Sequence, residues 1–175
     1  MEANRGALHA FVRLNAGKFL LARESCSDLV QTVFHELLSR RDRFKLLGAR
    51  ELRAWLFQAA RSKIKGRRRY YAARKRSASY EVPIEGRDGN QEALLLESYH
   101  TIYSPSRDAI AREQIARIEL AFEGLPEDYR EVITLSRLAG WSHAEIARET
   151  GRSEVAVRTL LFRGLARLSE LLEAP

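Results

Sequence analysis

Cysteine is nearly absent from this chain, and the one present, Cys26, cannot close an internal disulfide. No Cys/His pair has the spacing of a structural zinc site, which excludes a metal-stapled mini-domain and leaves Cys26 as a buried free thiol. Long apolar runs are missing too. The longest stretch near the start, Phe19 to Ala22, is far too short for a signal h-region or a membrane span, so a cytoplasmic chain with no membrane contact is expected. Chemistry is equally sparse: there is no phosphate-cradling loop, no paired metal ligands and no nucleophile beside a recognisable base. Four scattered histidines, His9, His35, His100 and His143, do not make a site. No catalytic residue, metal or cofactor is expected, and the chain reads as a non-enzyme.

What is present is apolar residue and positive charge. The 175 residues, 45% of them hydrophobic, suit two small helical domains with a usable core and are too apolar for a disordered protein. A formal charge of +7 and a pI near 9.9 point to a polyanionic partner. That charge is segregated. Between Arg50 and Arg76 there are eleven Lys or Arg residues and one acid, Glu51, a net of +10 that exceeds the whole chain's +7.

Hydrophobic spacing predicts helices. Val30, Val33, Phe34, Leu37 and Leu38 recur at i, i+3, i+4, i+7 and i+8, which predicts an amphipathic helix from Ser27 or Asp28 to about Ser39 with Ser27 as its N-cap. Leu52, Trp55, Leu56, Ala59, Ala60 and Ile64 predict a second, over about 50 to 75, that runs on into the basic stretch. With a weaker helix over 5 to 22, these would build a three-helix domain around Trp55. From Ser77 to Pro105 the periodicity is lost among Pro83, Gly86, Gly89 and Asn90, and five acids face one base, as in a solvated acidic tether. Helical signals resume at Ser106 and end near Gly124; Pro126 then opens another helix at its first position, with Glu127 and Asp128 favouring the dipole and Tyr129, Val132 and Ile133 as its apolar stripe. The expected fold is all-α: residues 1–76 and 107–175 as two small helical domains and 77–106 as a flexible acidic linker.

The sharpest local signal is C-terminal. Ser142 and Glu145 form an S-x-x-E capping box, Gly151 marks a left-handed turn, and a second start at Ser153 leads into the stripe Val157, Leu160, Leu161, Leu165 and Leu168, on a helix near fifteen residues long. Two helices joined this way read as a helix-turn-helix. Arg158, Thr159, Phe162, Arg163 and Arg167 lie off the stripe, where guanidinium forks meet phosphates or guanine edges. In the other basic segment, Tyr70 and Tyr71 sit among cations with Trp55 and Phe57 upstream, a composition suited to single-stranded nucleic acid. For the two tyrosines packing and base contact stay equally open, and Trp55 reads as core.

Over nearly its full length the chain resembles a bacterial RNA polymerase sigma factor of the extracytoplasmic-function group, within the sigma-70 superfamily. Asp28-Leu29-Val30-Gln31-Thr32-Val33-Phe34 looks like the D-L-V-Q-x-x-F segment of the second conserved region, and Trp55-Leu56 with Ala59-Ala60-Arg61 resembles W-L-x-x-x-A-R. Leu125 to Val132 is similar to the L-P-x-x-x-R-E-V opening of the fourth region. The resemblance implies a factor that binds core polymerase through Asp28, Gln31 and Thr32 and directs promoter-specific initiation. It implies minus-thirty-five duplex contacts from Ser153, Arg158, Thr159, Phe162 and Arg163. Contacts to minus-ten and melted-strand DNA would fall to Arg61, Lys63, Lys65, Arg67, Arg68, Arg69 and Tyr70. An anti-sigma protein is a further partner that the resemblance admits without identifying one. Ser62, Gly66 and Arg152 depart from the family pattern. The competing reading is a helix-turn-helix regulator whose N-terminal half senses or dimerises; the Asp28 to Phe34 motif and the basic helix argue against it.

Overall fold

The computed structural model describes residues 2–44, 48–77 and 108–173. Every regular element among them is a helix: α1 (Glu2–Leu21), α2 (Cys26–Ser39), α3 (Arg41–Phe44), α4 (Ala49–Ser77), α5 (Asp108–Glu123), α6 (Glu127–Arg137), α7 (His143–Thr150) and α8 (Glu154–Glu173). The all-α expectation holds. Residues 78–107, which carry nearly all of the expected linker, lie outside the described residues.

In the N-terminal half α1, α2 and α4 pack on one another through Leu8, Phe11, Val12, Leu29, Val33, Leu56 and Phe57. The centre is Phe57 rather than Trp55. Phe57 is 0% exposed and meets Phe11 edge-on at 5.2 Å, whereas Trp55 is half-buried on the opposite side of α4, its ring tilted at 53° against Phe44 of α3 with centroids 4.6 Å apart. Two residues along a helix are about 200° apart, so the two rings cannot share one face. Two further expectations are corrected in α2. Its N-cap is Ser25, extended at φ −69°, ψ 150°, whose Oγ accepts from the Asp28 N–H at 3.0 Å; Ser27 is already inside the helix. Leu38 is 61% exposed, because the buried arc runs through Cys26, Leu29, Val30, Val33 and Leu37.

Gly17 interrupts α1 at φ 69°, ψ 163°. A kink of this kind frees carbonyls, and Arg68 from α4 answers them, its Nη2 donating to Asn15 O at 2.9 Å and Ala16 O at 3.2 Å. Beside this packing lies His9, 2% exposed, with Nδ1 3.7 Å from Cys26 Sγ. Burial pushes the Cys26 thiol up to about 12, so it is inert. Burial, and then the Arg5 charge, pulls His9 from 6.5 down to about 4 and keeps it neutral in the fold. As pH falls, the unfolded chain protonates this imidazole first. Stability from this group is therefore full above about 6.5 and lost between 6.5 and about 4, by roughly 3 kcal/mol in all. Urea unfolding at pH 7 and pH 5 should show a larger acid loss in the wild type than in His9→Gln; equal losses would contradict it.

In the C-terminal half α6 and α8 pack through Val132, Ile133, Val157 and Leu161, with α7 closing over them through Ile146. Pro126 stands at φ −52°, ψ 147°, one position before the helix it was expected to begin, and α6 starts at Glu127. α8 runs to twenty residues, longer than its apolar stripe suggested.

The halves also touch. Arg53 of α4 donates to Leu138 O at 2.6 Å and Ala139 O at 3.2 Å, capping the end of α6, and Asn15 Nδ2 donates to Thr134 Oγ1 at 3.0 Å.

Candidate nucleic-acid and polymerase interfaces

The C-terminal face is built from the turn upward. Ser142 Oγ accepts from the Glu145 N–H at 3.3 Å, while Glu145 Oε2 accepts from the Ser142 N–H at 2.7 Å, completing the capping box. These Ser142 bonds, backbone first, hold the Glu145 carboxyl below its usual range. Gly151 is left-handed at φ 69°, ψ 28°, as its place in the turn required. Ser153 then starts α8, its Oγ accepting from the Ala156 N–H at 3.2 Å. Removing the first cap tests the turn: Ser142→Ala should cost about 0.5–2 kcal/mol in the urea unfolding of the C-terminal half, whereas no change would mean the box holds nothing.

With Val157 and Gly164 buried against α6, Arg158, Thr159, Phe162 and Arg163 share the opposite, exposed face of α8; Phe162 is 77% exposed. Among the described residues neither Arg158 nor Arg163 has a hydrogen-bond or ion-pair partner. Thr159 returns its hydroxyl to Val155 O at 2.9 Å, and Arg167 is paired with Glu170 at 2.7 Å. The face thus offers two unpaired guanidiniums around an exposed aromatic ring.

The basic helix α4 is different, because among the described residues its cations already have partners. Arg61 pairs with Glu131 at 2.7 Å and Glu149 at 2.8 Å, Lys65 with Glu131 at 2.9 Å, and Arg68 with Glu127 at 2.7 Å, all in the C-terminal half. Lys63 pairs with Glu36 at 3.0 Å and Arg67 with Glu24 at 3.2 Å. Arg69 donates to its own helix at Lys65 O. Tyr71 donates its hydroxyl to Glu24 at 2.8 Å, whereas Tyr70 is 48% exposed with the Arg74 guanidinium 5.7 Å from its ring centroid. Ser62, Gly66, Arg69 and Tyr70 lie on the solvent side, and a Cβ on Gly66 would meet nothing within 4 Å. Phe57, expected beside the basic run, is sealed in the core and unavailable to a base.

On α2 the outward stripe is Asp28, Gln31, His35 and Leu38, while Thr32 turns its hydroxyl to Leu29 O at 2.7 Å. Sequence reasoning missed Glu131, 9% exposed, and the acids around it. Burial alone would raise its carboxyl; hydrogen bonds from Arg61 and Lys65 overcome that and hold it below the usual range. Arg152, a departure from the family pattern, is explained by the same acids: it pairs with Asp128 at 2.6 Å and reaches Glu131 at 3.7 Å.

Residues 115–168, the whole helix-turn-helix with its approach, match the family described as sigma-70, region 4. This segment is a sigma-70 region 4 domain. The likeness of the chain to sigma factors extends past the matched region. It is 28% identical over 159 residues to RNA polymerase sigma factor NccH of Alcaligenes xylosoxydans xylosoxydans, covering 91% of this chain and 79% of that one. It is 29% identical over 163 residues to RNA polymerase sigma factor CnrH of Cupriavidus metallidurans, with the same two coverages. In fold it is similar to the sigma factor RpoE solved in complex with the anti-sigma factor NepR from Bartonella quintana, at a TM-score of 0.67 and 21% identity over 98% of this chain and 92% of that one. Among the described residues no helix is long and apolar enough to cross a membrane.

Proposed function

We propose that this chain is a sigma factor of the extracytoplasmic-function group that binds core RNA polymerase and directs promoter-specific initiation in the cytoplasm, without catalytic chemistry of its own. The observation that carries the reading is the exposed Arg158, Thr159, Phe162 and Arg163 face, its two guanidiniums unpaired among the described residues, on the second helix of a capped helix-turn-helix. The major groove admits an α-helix and presents a distinguishable edge for each base pair, so this face reads the upstream element as duplex. Ser153, at the start of α8, fits a phosphate contact. In the N-terminal half the solvent side of α4, with Arg69 and the half-exposed Tyr70, receives the separated strand, where aromatic stacking offsets the unstacking cost of a few kcal/mol. Arg61, Lys63, Lys65, Arg67 and Arg68 join that contact once their acidic partners are displaced. Gel filtration with core polymerase tests the assignment: a stoichiometric complex is expected, and separate elution of the two would oppose it. The reading as a regulator with an N-terminal sensing domain loses ground, since relatives named as sigma factors align over 91% of the chain and so include that half.

Core binding falls to the outward stripe of α2. Asp28 and Gln31 are exposed there, and Thr32 sits at the edge with its hydroxyl committed to the backbone. Asp28→Arg should weaken core binding about tenfold or more, the effect of losing a charged interface contact, while circular dichroism stays unchanged. An unaltered affinity in the folded variant would remove this stripe from the interface.

A further inference from the structure

We propose that Gly66 is the floor of a slot that takes one unpaired nucleobase, stacked against the ring of Tyr70 on the solvent side of α4. The proposal rests on the single-strand contact assigned above and deepens it, by naming the position that lets a base lie down on the helix.

Gly66 is costly where it stands. A glycine inside a helix lowers the folding equilibrium roughly two- to fivefold relative to alanine. Elsewhere in this fold glycine answers to the backbone or to packing. Gly17 and Gly151 are left-handed at φ 69°, and at Gly164 an added Cβ would come within 3.1 Å of Tyr129 Cβ. Gly66 has neither reason: its φ is not positive, it is exposed, and a Cβ there would meet nothing within 4 Å. Nothing around it in the free chain uses the missing side chain, so what it makes room for comes from outside.

The surroundings point to a flat, anionic visitor. Tyr70 stands at i+4 from Gly66, on the same face, and a helical side chain leans over the turn N-terminal to its own Cα, which here is the turn of Gly66. The Tyr70 ring is already fixed. Arg74 reaches back to it, with Nη1 donating to Tyr70 Oη at 3.1 Å and the guanidinium carbon 5.7 Å from the ring centroid. Tyr71 stands edge-on to the same ring at 5.1 Å and 75°, its own hydroxyl donated to Glu24 at 2.8 Å. A ring held this way loses little freedom when a base stacks on it. Bases in a strand stack about 3.4 Å apart, so the clear 4 Å around the absent Cβ admits one, and a methyl group would stand in its place. Arg69 and Arg74, exposed beside the slot, suit the phosphates on either side of that base.

The test compares the full chain with Gly66→Ala, Tyr70→Ala and the double variant. Because position 66 is helical and open, Gly66→Ala should melt higher, by roughly 1–4 °C. Its binding of fluorescein-labelled oligothymidine should nonetheless weaken about tenfold, the loss of one stacked base. An abasic oligomer of the same length keeps the phosphates and has no bases, so wild type and Gly66→Ala should bind it equally, with the same salt dependence. Tyr70→Ala should weaken oligothymidine binding to a similar degree, and adding Gly66→Ala to it should remove nothing more, since slot and ring act as one. Wild-type oligothymidine affinity in Gly66→Ala, additive losses in the double variant, or an equal loss on the abasic oligomer would each overturn the proposal. So would a Gly66→Ala chain that melts lower or does not fold, because the fold itself would then account for the glycine, and so would a wild type that leaves oligothymidine unbound. None of these measurements contains polymerase. The full Gly66 effect in a chain that forms no complex with core polymerase would sink the sigma reading alone; unchanged oligothymidine affinity in the variant of a chain that directs transcription would sink the slot alone.

Discussion

Phe57→Ala is expected to destabilise the N-terminal half by about 3–5 kcal/mol, the range for deleting a fully buried aromatic ring. Phe57 has no exposed surface, meets Phe11 at an interplanar angle of 88°, and carries the Arg53 guanidinium 5.3 Å from its centroid. Removing the ring opens a cavity at the junction of α1 and α4 and leaves Phe11 without its partner. Trp55→Ala should cost less, because Trp55 is half-buried and its neighbour Phe44 belongs to a four-residue helix that has room to follow. The chain's two tryptophans, Trp55 and Trp141, lie one in each half. In Phe57→Ala, Trp55 fluorescence should therefore report a lower urea midpoint than Trp141. A larger loss from Trp55→Ala than from Phe57→Ala would return Trp55 to the centre of the fold.

Arg158→Ala and Arg163→Ala should each weaken binding to the preferred upstream element about tenfold or more if the guanidinium reads a guanine, since a bidentate pair is worth about 1–3 kcal/mol of discrimination. Both side chains are exposed and unpartnered among the described residues, so their truncation breaks no intramolecular bond and leaves the fold intact. Thr159 and Phe162 would supply shape and apolar contact at base edges on the same face. A phosphate contact has a different signature: affinity falls for every sequence, and the salt slope drops by about one unit. Binding curves for preferred and scrambled elements at several salt concentrations separate the two. Curves unchanged in both variants would show that α8 is not the reader.

What was legible in the sequence was local chemistry. The capping box, the Gly151 turn and the Ser153 start are each defined by side chains that bond their own neighbouring backbone, and all three stand where their spacing placed them. Apolar periodicity found the long helices but misjudged which arc was buried. In α4 the aromatic at position 55 looked central, yet the arc centres on Phe57, because α1 and α2 approach from that side while Trp55 packs at the edge of the core beside Phe44 of α3. The basic run was visible as charge, but not its partners. Those acids lie 59 to 88 positions away, and only packing of the two halves brings Glu127, Glu131 and Glu149 to α4. The matching four-residue spacing of Arg61/Lys65 and Glu127/Glu131 was the one signal that could have suggested the pairing.

Transcription in vitro with core polymerase on a library of genomic fragments tests the central claim most directly. Core polymerase with this chain should start RNA at a discrete set of positions that share paired upstream and downstream elements, and core polymerase alone should not. An unchanged pattern of start sites, with the chain folded and in excess, would contradict the account.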